Sequence, residues 1–164
     1  MAQKKPLKTN KTNLRQKLLE RMKHLPAEDV ERASKLVCGK ALREYDWSSV
    51  QSVLAYVPIK NSGEIDPKYL LDKLAGTIRV DYAEADTKAP FPSGTYDVII
   101  LPVVGFTTQS YRLGRGGGWY DRLLYMHPEA TSIGFAYSGA TVNFVPERHD
   151  QQLSLIITDE TDAV

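Results

Sequence analysis

Apolar residues at Leu14, Leu18, Leu19, Met22 and Leu25 recur every three or four positions, which predicts an amphipathic helix ending near Pro26. Ahead of it, residues 1–10 (MAQKKPLKTN) show no apolar rhythm and read as a flexible basic arm. A second helix is expected from Pro26 and Ala27 to about Tyr45, because proline suits a first helical turn and Glu28, Asp29 and Glu31 complement the positive end of the helix dipole. The pattern then changes to short β-rich runs. SVLAYVPI (52–59) reads as a strand, Asp66 and Pro67 open a helix that Gly76 stops after Leu74, and TIRVDYA (77–83) supplies a second strand. The run DVIILPVVGF (97–106) is continuously apolar, as expected of a central strand covered on both faces. WYDRLLYMH (119–127) has helical spacing, SIGFAYS (132–138) and LSLIIT (153–158) complete the strands, and DTKAPFPSGT (86–95) reads as a surface loop. Strands alternating with helices predict an α/β fold: a three-layer, Rossmann-like open sandwich with a mostly parallel sheet and helices on both faces. Ligands in such folds bind beyond the carboxyl ends of the strands, which directs attention to the loops after Ile59, Phe106 and Ser138.

Composition narrows the class without naming a reaction. With 164 residues, 42% hydrophobic and 25% charged, the chain is the size of one domain, read here as residues 11–164 behind the 1–10 arm. A net charge of +1 excludes both a polycation and an acidic disordered chain. The charge is unevenly placed. Lys4, Lys5, Lys8, Lys11 and Arg15 fall in the first 15 residues with no acid among them, so the remainder is net acidic. Without interleaved aromatics such a run gives only salt-sensitive, nonspecific attraction, and no nucleic-acid partner is expected. The lone Cys38 cannot form an internal disulfide, and its helical setting suits a buried thiol. No run approaches the roughly 20 apolar residues of a membrane span, nor does an apolar stretch follow the basic start. A cytoplasmic protein with no membrane partner is expected.

The most informative segment is TTQSYRLGRGGGWYDRLL (107–124), where Gly114, Gly116, Gly117 and Gly118 fall within five positions alongside Arg112 and Arg115. Glycines let successive backbone N–H groups converge on an anion, and the following helix adds its positive N-terminus, which is the chemistry of phosphate binding. Neither common phosphate motif fits. A P-loop needs Lys and then Ser or Thr after its last glycine, and a dinucleotide fingerprint needs Gly or Ala where Trp119 stands. The alternative is a turn whose arginines face water.

The run LPVVGFTTQSYRLGRGGGWYDRLL (101–124) resembles the signature of the 5-formyltetrahydrofolate cyclo-ligase family, the methenyltetrahydrofolate synthetases. Three further segments are similar to the family in the same order: KTNLRQKLLERMKHL (11–25), YVPIKNSGEID (56–66) and VPERHDQQLSLIITDE (145–160). The resemblance implies an ATP- and Mg²⁺-dependent ligase. It would convert 5-formyltetrahydrofolate to 5,10-methenyltetrahydrofolate, with ADP and phosphate released after phosphorylation of the formyl oxygen. A monomer acting on a reduced folate and ATP is the expected form. A paralogue that uses ATP on a different acceptor, or that binds nucleotide or folate without turnover, is the alternative.

By similarity, Lys11, Thr12, Asn13, Leu14 and Arg15 would contact ATP, together with Arg112, Leu113, Gly114, Arg115, Gly116, Gly117, Gly118, Trp119 and Tyr120. Lys11 and Arg15 are four apart and share a helix face. Arg115 and Arg15 are the implied catalytic residues. Tyr56, Glu64 and the stretch Arg115, Gly116, Gly117, Gly118 and Trp119 are the implied folate-binding residues, with Val57 beside Tyr56 as a candidate for the apolar wall. Trp119 could stack on a flat ring or pack in the core. Asp121 and Asp150 match the family's magnesium ligands, with a helix cap and a turn residue as their respective alternatives. Gly117 stands where many members have Lys, although Gly-Gly-Gly also occurs in the family, and the link from Arg79 to Tyr96 is shorter than usual, abbreviating the expected folate wall.

Overall fold

The computed structural model describes residues 7–85 and 90–161. Helix α1 spans Leu7–Lys23 and α2 spans Ala27–Glu44, with Pro26 at the cap position of the second. Strand β1 (Ser52–Tyr56) is followed by α3 (Lys68–Leu74) and β2 (Arg79–Ala83). Strand β3 (Val98–Pro102) leads to a small ribbon of β4 (Gly105–Phe106) and β5 (Arg112–Leu113). Helix α4 (Trp119–Met126), β6 (Thr131–Ala136), a single 3-10 turn (Ser138–Ala140) and β7 (Leu155–Thr158) complete the order.

The main sheet has the order β2-β1-β3-β6-β7 and every pairing in it is parallel, with β3 at its centre as the unbroken apolar run predicts. Alternate residues serve opposite faces. Val53, Ala55, Val98, Ile100, Ile133 and Phe135 pack with Val37, Cys38 and Ala41 of α2 and Leu70, Leu71 and Leu74 of α3. Leu54, Ile99 and Leu101 pack on the other side with Leu123 and Leu124 of α4. This is the predicted three-layer α/β sandwich, and burial on both faces explains why the strands do not alternate in polarity. Among the described residues, no helix is long and apolar enough to cross a membrane.

Two details differ from the sequence reading. Helix α1 begins at Leu7, so Leu7–Asn10 are helical rather than part of the arm; Asn10 Nδ2 donates to the Asn143 carbonyl at 3.4 Å, a tertiary tether that apolar periodicity cannot register. Residues 1–6, with Lys4 and Lys5, lie outside the described residues, as do 86–89 of the expected surface loop. The run 97–106 is not one strand. After Pro102 the chain leaves the main sheet, Val104 N donates to the Leu113 carbonyl at 3.0 Å, and β4 pairs antiparallel with β5. Gly105 allows this bend to sit under α1, since a Cβ there would lie 2.7 Å from Leu18 Cδ1 and 3.2 Å from the Ala140 carbonyl. Leu18 and Met22 of α1 bury themselves against Val104 and Leu113, a third small core that fastens α1 to the ribbon.

Candidate active site

Strand β1 connects outward to β2 on one side, while β3 lies on its other side, so the chain reverses direction across the sheet between β1 and β3. Open α/β sheets form a crevice at that point, beyond the carboxyl ends of the strands. A cavity of about 300 Å³ lies there, lined by Val57, Ile59 and Glu64 after β1, Pro102 and Val104 after β3, the segment 112–121, Lys11 and Arg15 of α1, and Glu147, His149 and Asp150. Four of the lining side chains are Lys or Arg and four are Asp or Glu, and most of these charges are already paired.

Glu64 is held by the close passage of its loop beneath α1. Gly63 has φ +77°, and a Cβ there would meet the Met22 carbonyl oxygen at 2.1 Å, so the backbone passes where only glycine fits. The Tyr137 hydroxyl donates to the Gly63 carbonyl at 2.6 Å and fixes the turn. The buried Glu64 carboxylate then accepts from Ile59 N at 2.8 Å with one oxygen and from Arg115 Nε at 3.0 Å with the other. This pair joins the loop after β1 to the glycine loop across the crevice.

The glycine loop is shaped from both sides. Gly116 (φ +109°) and Gly118 (φ +68°) take left-handed conformations, and Gly118 stands at the N-cap of α4 with no side chain to cap it. First-turn N–H groups of α4 are thereby left to an external acceptor. From α1, Arg15 Nε donates to the Gly114 carbonyl at 2.8 Å, with its guanidinium lying under Gly116. From below, Arg112 donates to the Pro102 carbonyl at 2.9 Å, and its guanidinium packs 5.0 Å from the Tyr120 ring centroid. Arg112 is 8% exposed, and its Nε has no partner among the described residues. Burial lowers its pKa, offset by the charges of Asp121 and Asp150, and a guanidinium remains ionised regardless. It therefore supplies positive charge behind the loop, and Gly114 is required above it because a Cβ would lie 2.8 Å from that guanidinium. Burial pushes the Tyr120 phenol up to about 12, so it is neutral at physiological pH.

The carboxylates come together through the closing segment. Gln151 N donates to Asp121 Oδ1 at 3.3 Å, tying the first turn of α4 to the residue after Asp150. Asp150 Oδ2 accepts from Glu147 N at 2.7 Å and from Lys11 Nζ at 2.6 Å. The turn alternative holds for Asp150, whereas Asp121 does not cap α4: its carboxylate accepts from Gln151 N, outside the helix. Both also face the cavity. Among the described residues no group of three or more His, Cys, Asp or Glu forms a metal-binding cluster. Two hard carboxylates fit an ion such as Mg²⁺ that keeps water and phosphate oxygens as its other ligands.

Of the residues singled out by sequence, Lys11, Arg15, Glu64, Asp121, Asp150 and all of Arg112 through Tyr120 line this one cavity. Tyr56 does not. It is 1% exposed in the core, its hydroxyl donates to the Ile65 carbonyl, and it supports the wall from behind, while Val57 and Ile59 form the apolar surface. Thr12 and Asn13 lie on the exposed side of α1, and Leu14 packs with the ribbon core, so within residues 11–15 only the i, i+4 pair Lys11 and Arg15 reaches the cavity. Trp119 both lines the cavity and packs: one face is stacked on Phe91, with centroids 5.1 Å apart. Sequence reasoning missed Glu147 and the Phe91 partner of Trp119. Glu147 had a signal in its position three residues before Asp150, the spacing of a carboxylate on the same tight turn.

Comparison with known proteins gives this crevice a lineage. Residues 82–159 match the model of the 5-formyltetrahydrofolate cyclo-ligase family. A curated relative from Mycoplasma pneumoniae, 5-formyltetrahydrofolate cyclo-ligase, is 33% identical over 122 residues, covering 68% of this chain and 74% of that protein. The protein of the same name from Escherichia coli K12 is 32% identical over 84 residues, covering 49% of this chain and 46% of the relative. The solved structure of a 5,10-methenyltetrahydrofolate synthetase from Mycoplasma pneumoniae superposes with a TM-score of 0.79 at 26% identity, over 92% of this chain and 99% of that one. The short β2–β3 link therefore leaves no large part of that structure unmatched. The Aquifex aeolicus synthetase shares the fold, with a TM-score of 0.74 at 24% identity over 92% of this chain and 90% of its own. With the family model covering α4, the glycine loop and the closing strands, and a curated relative matched over most of its length, the chain belongs to the 5-formyltetrahydrofolate cyclo-ligase family of ligases.

Proposed function

We propose that the chain closes the ring of 5-formyltetrahydrofolate to give 5,10-methenyltetrahydrofolate, driven by ATP and releasing ADP and phosphate. The observation that carries this reading is the convergence on one crevice of a glycine loop at a helix N-terminus, Lys11 and Arg15 from α1, and the carboxylates Asp121 and Asp150. The formyl oxygen attacks the γ-phosphorus of ATP and the bond to ADP breaks. The neighbouring folate nitrogen then attacks the activated carbon and gives up its proton to solvent, and the oxygen leaves with the phosphate. Such phosphoryl transfer needs alignment and neutralisation of charge more than covalent help from the protein.

In this scheme the glycine-loop N–H groups and the first turn of α4 receive phosphate oxygens, while Arg112 adds fixed charge behind them. Arg115 is the exchangeable cation, with a side chain 38% exposed and paired with Glu64. Binding of the folate amino-pyrimidine edge at Glu64, where a carboxylate accepts two hydrogen bonds, would free Arg115 for the transferring group. A magnesium ion held by Asp121 and Asp150 would neutralise the triphosphate and hold it in line. Val57 and Ile59 supply apolar surface for a flat ring, and Trp119, stiffened by Phe91, fixes the base of the loop. Purified chain mixed with 5-formyltetrahydrofolate and Mg-ATP tests the reading. Near-ultraviolet absorbance of the methenyl product is the expected result, and its absence at high protein concentration contradicts it.

A further inference from the structure

Lys11 is shared between two carboxylates of one turn. Its Nζ lies 2.6 Å from Asp150 Oδ2 and 3.5 Å from Glu147 Oε1. The turn is bonded to itself: Glu147 N donates to Asp150 Oδ2 at 2.7 Å, and Asp150 N donates to the Glu147 carbonyl at 3.0 Å. The Asp150 carboxylate is therefore fixed against the Glu147 backbone, the Glu147 side chain starts from the same turn, and a small swing of the lysine side chain carries the ammonium from one carboxylate to the other. Their surroundings differ. The Asp150 side chain is 7% exposed and that of Glu147 is 33% exposed, so an unpaired charge is costly at the first and tolerable at the second. The Phe144 ring lies 5.1 Å from Nζ, and His149 approaches Glu147 at 3.9 Å and Asp150 at 3.6 Å, which closes in the rest of the cluster.

Under the ATP reading of this cavity, on which the inference rests, Lys11 and Asp150 each have a second obligation. The ammonium is wanted by phosphate and the Asp150 carboxylate by a divalent cation, and neither is satisfied while the two are paired at 2.6 Å. We propose that Glu147 is a positioning residue that keeps the Lys11 ammonium at the cavity when Asp150 turns to the co-substrate's cation. Glu147 touches no reacting atom; it acts through Lys11. Its distance is suited to that task, because a partner at 3.5 Å attracts the ammonium without closing a second short ion pair on it.

The test is calorimetric binding of a magnesium complex of a non-hydrolysable ATP analogue to the full chain. Glu147→Gln should weaken binding about threefold to tenfold, the range for one partly exposed charge pair, and the KM for ATP should rise by a similar factor with kcat changing less. In a Lys11→Met background the same substitution should cause no further loss. Unchanged affinity in Glu147→Gln overturns the proposal, as does an equal loss in the Lys11→Met background, which would mean that Glu147 acts on the ligand by itself. A wild-type chain that fails to bind the analogue at all is a different result: it removes the ATP reading, and the role of Glu147 with it.

Discussion

Arg115 and Lys11 each enter the cavity already bound to a carboxylate, so under the proposed function a phosphate contact by either would be an exchange of partners. For Arg115 the exchange is open because its guanidinium is partly exposed, but the Glu64 carboxylate is only 6% exposed, so losing its cation leaves a buried charge whose remaining donor among the described residues is Ile59 N. Arg115→Ala should therefore lower the unfolding midpoint by several degrees without preventing folding, while lowering turnover by about 10²-fold, as loss of one preorganised charge at a transferring phosphoryl group does. Thermal unfolding and steady-state rates measured side by side check this, and an unchanged rate removes Arg115 from the chemistry. Asp121 has one oxygen committed to Gln151 N and lines the cavity. Asp121→Asn keeps a side-chain oxygen for that backbone donor but loses the charge. Activity titrated with magnesium should then half-saturate at a roughly tenfold higher concentration, whereas coincident titrations would make Asp121 a structural anchor.

The glycine loop derives its shape from its neighbours as much as from its glycines. Gly114 is confined by the pinned Arg112, Gly116 and Gly118 need positive φ, and only Gly117 combines an ordinary φ with open space around the position of a Cβ. A side chain is therefore tolerated at 117 and at none of the other three. Gly117→Lys, which introduces the cation that many family members carry there, should fold normally and lower the KM for ATP several-fold; a raised KM would mean that the loop needs glycine at this position too. The loop and the three-layer order were legible because glycine clustering and continuous apolar runs are local signals. The bend after Pro102 was not, since its cause is the approach of Leu18 to Gly105 from a distant helix. Tyr56 was misread as wall for a related reason. Beside Val57 its ring looks like apolar wall in sequence, but the strand register turns it into the core beside Ile65, where burial raises its pKa. Glu147 went unnoticed because its meaning depends on Lys11, which lies 136 residues away along the chain.

Burial that builds the sheet also sets how the protein responds to pH. Cys38 of α2 packs in the larger core, and burial pushes its thiol up to about 11 from an ordinary value of 9.0. The folded state then holds the thiol proton more tightly than the unfolded chain. Its contribution to stability is complete below about pH 9 and is lost as pH rises toward about 11, up to about 2 kcal/mol. Urea unfolding at pH 8 and pH 10.5 should show that decline, and Cys38→Ala should flatten it; an equal decline in both proteins would place its origin elsewhere, among the tyrosines whose phenols burial also raises. The two halves of the proposed reaction meet at the crevice between β1 and β3, where the Glu64–Arg115 pair joins the folate wall to the phosphate loop. Transfer of oxygen between them is the most direct test of that meeting. With 5-formyltetrahydrofolate carrying ¹⁸O in its formyl group and unlabelled Mg-ATP, mass spectrometry of the released phosphate should find one ¹⁸O for each methenyl product formed. Methenyl product accompanied by unlabelled phosphate would contradict the account.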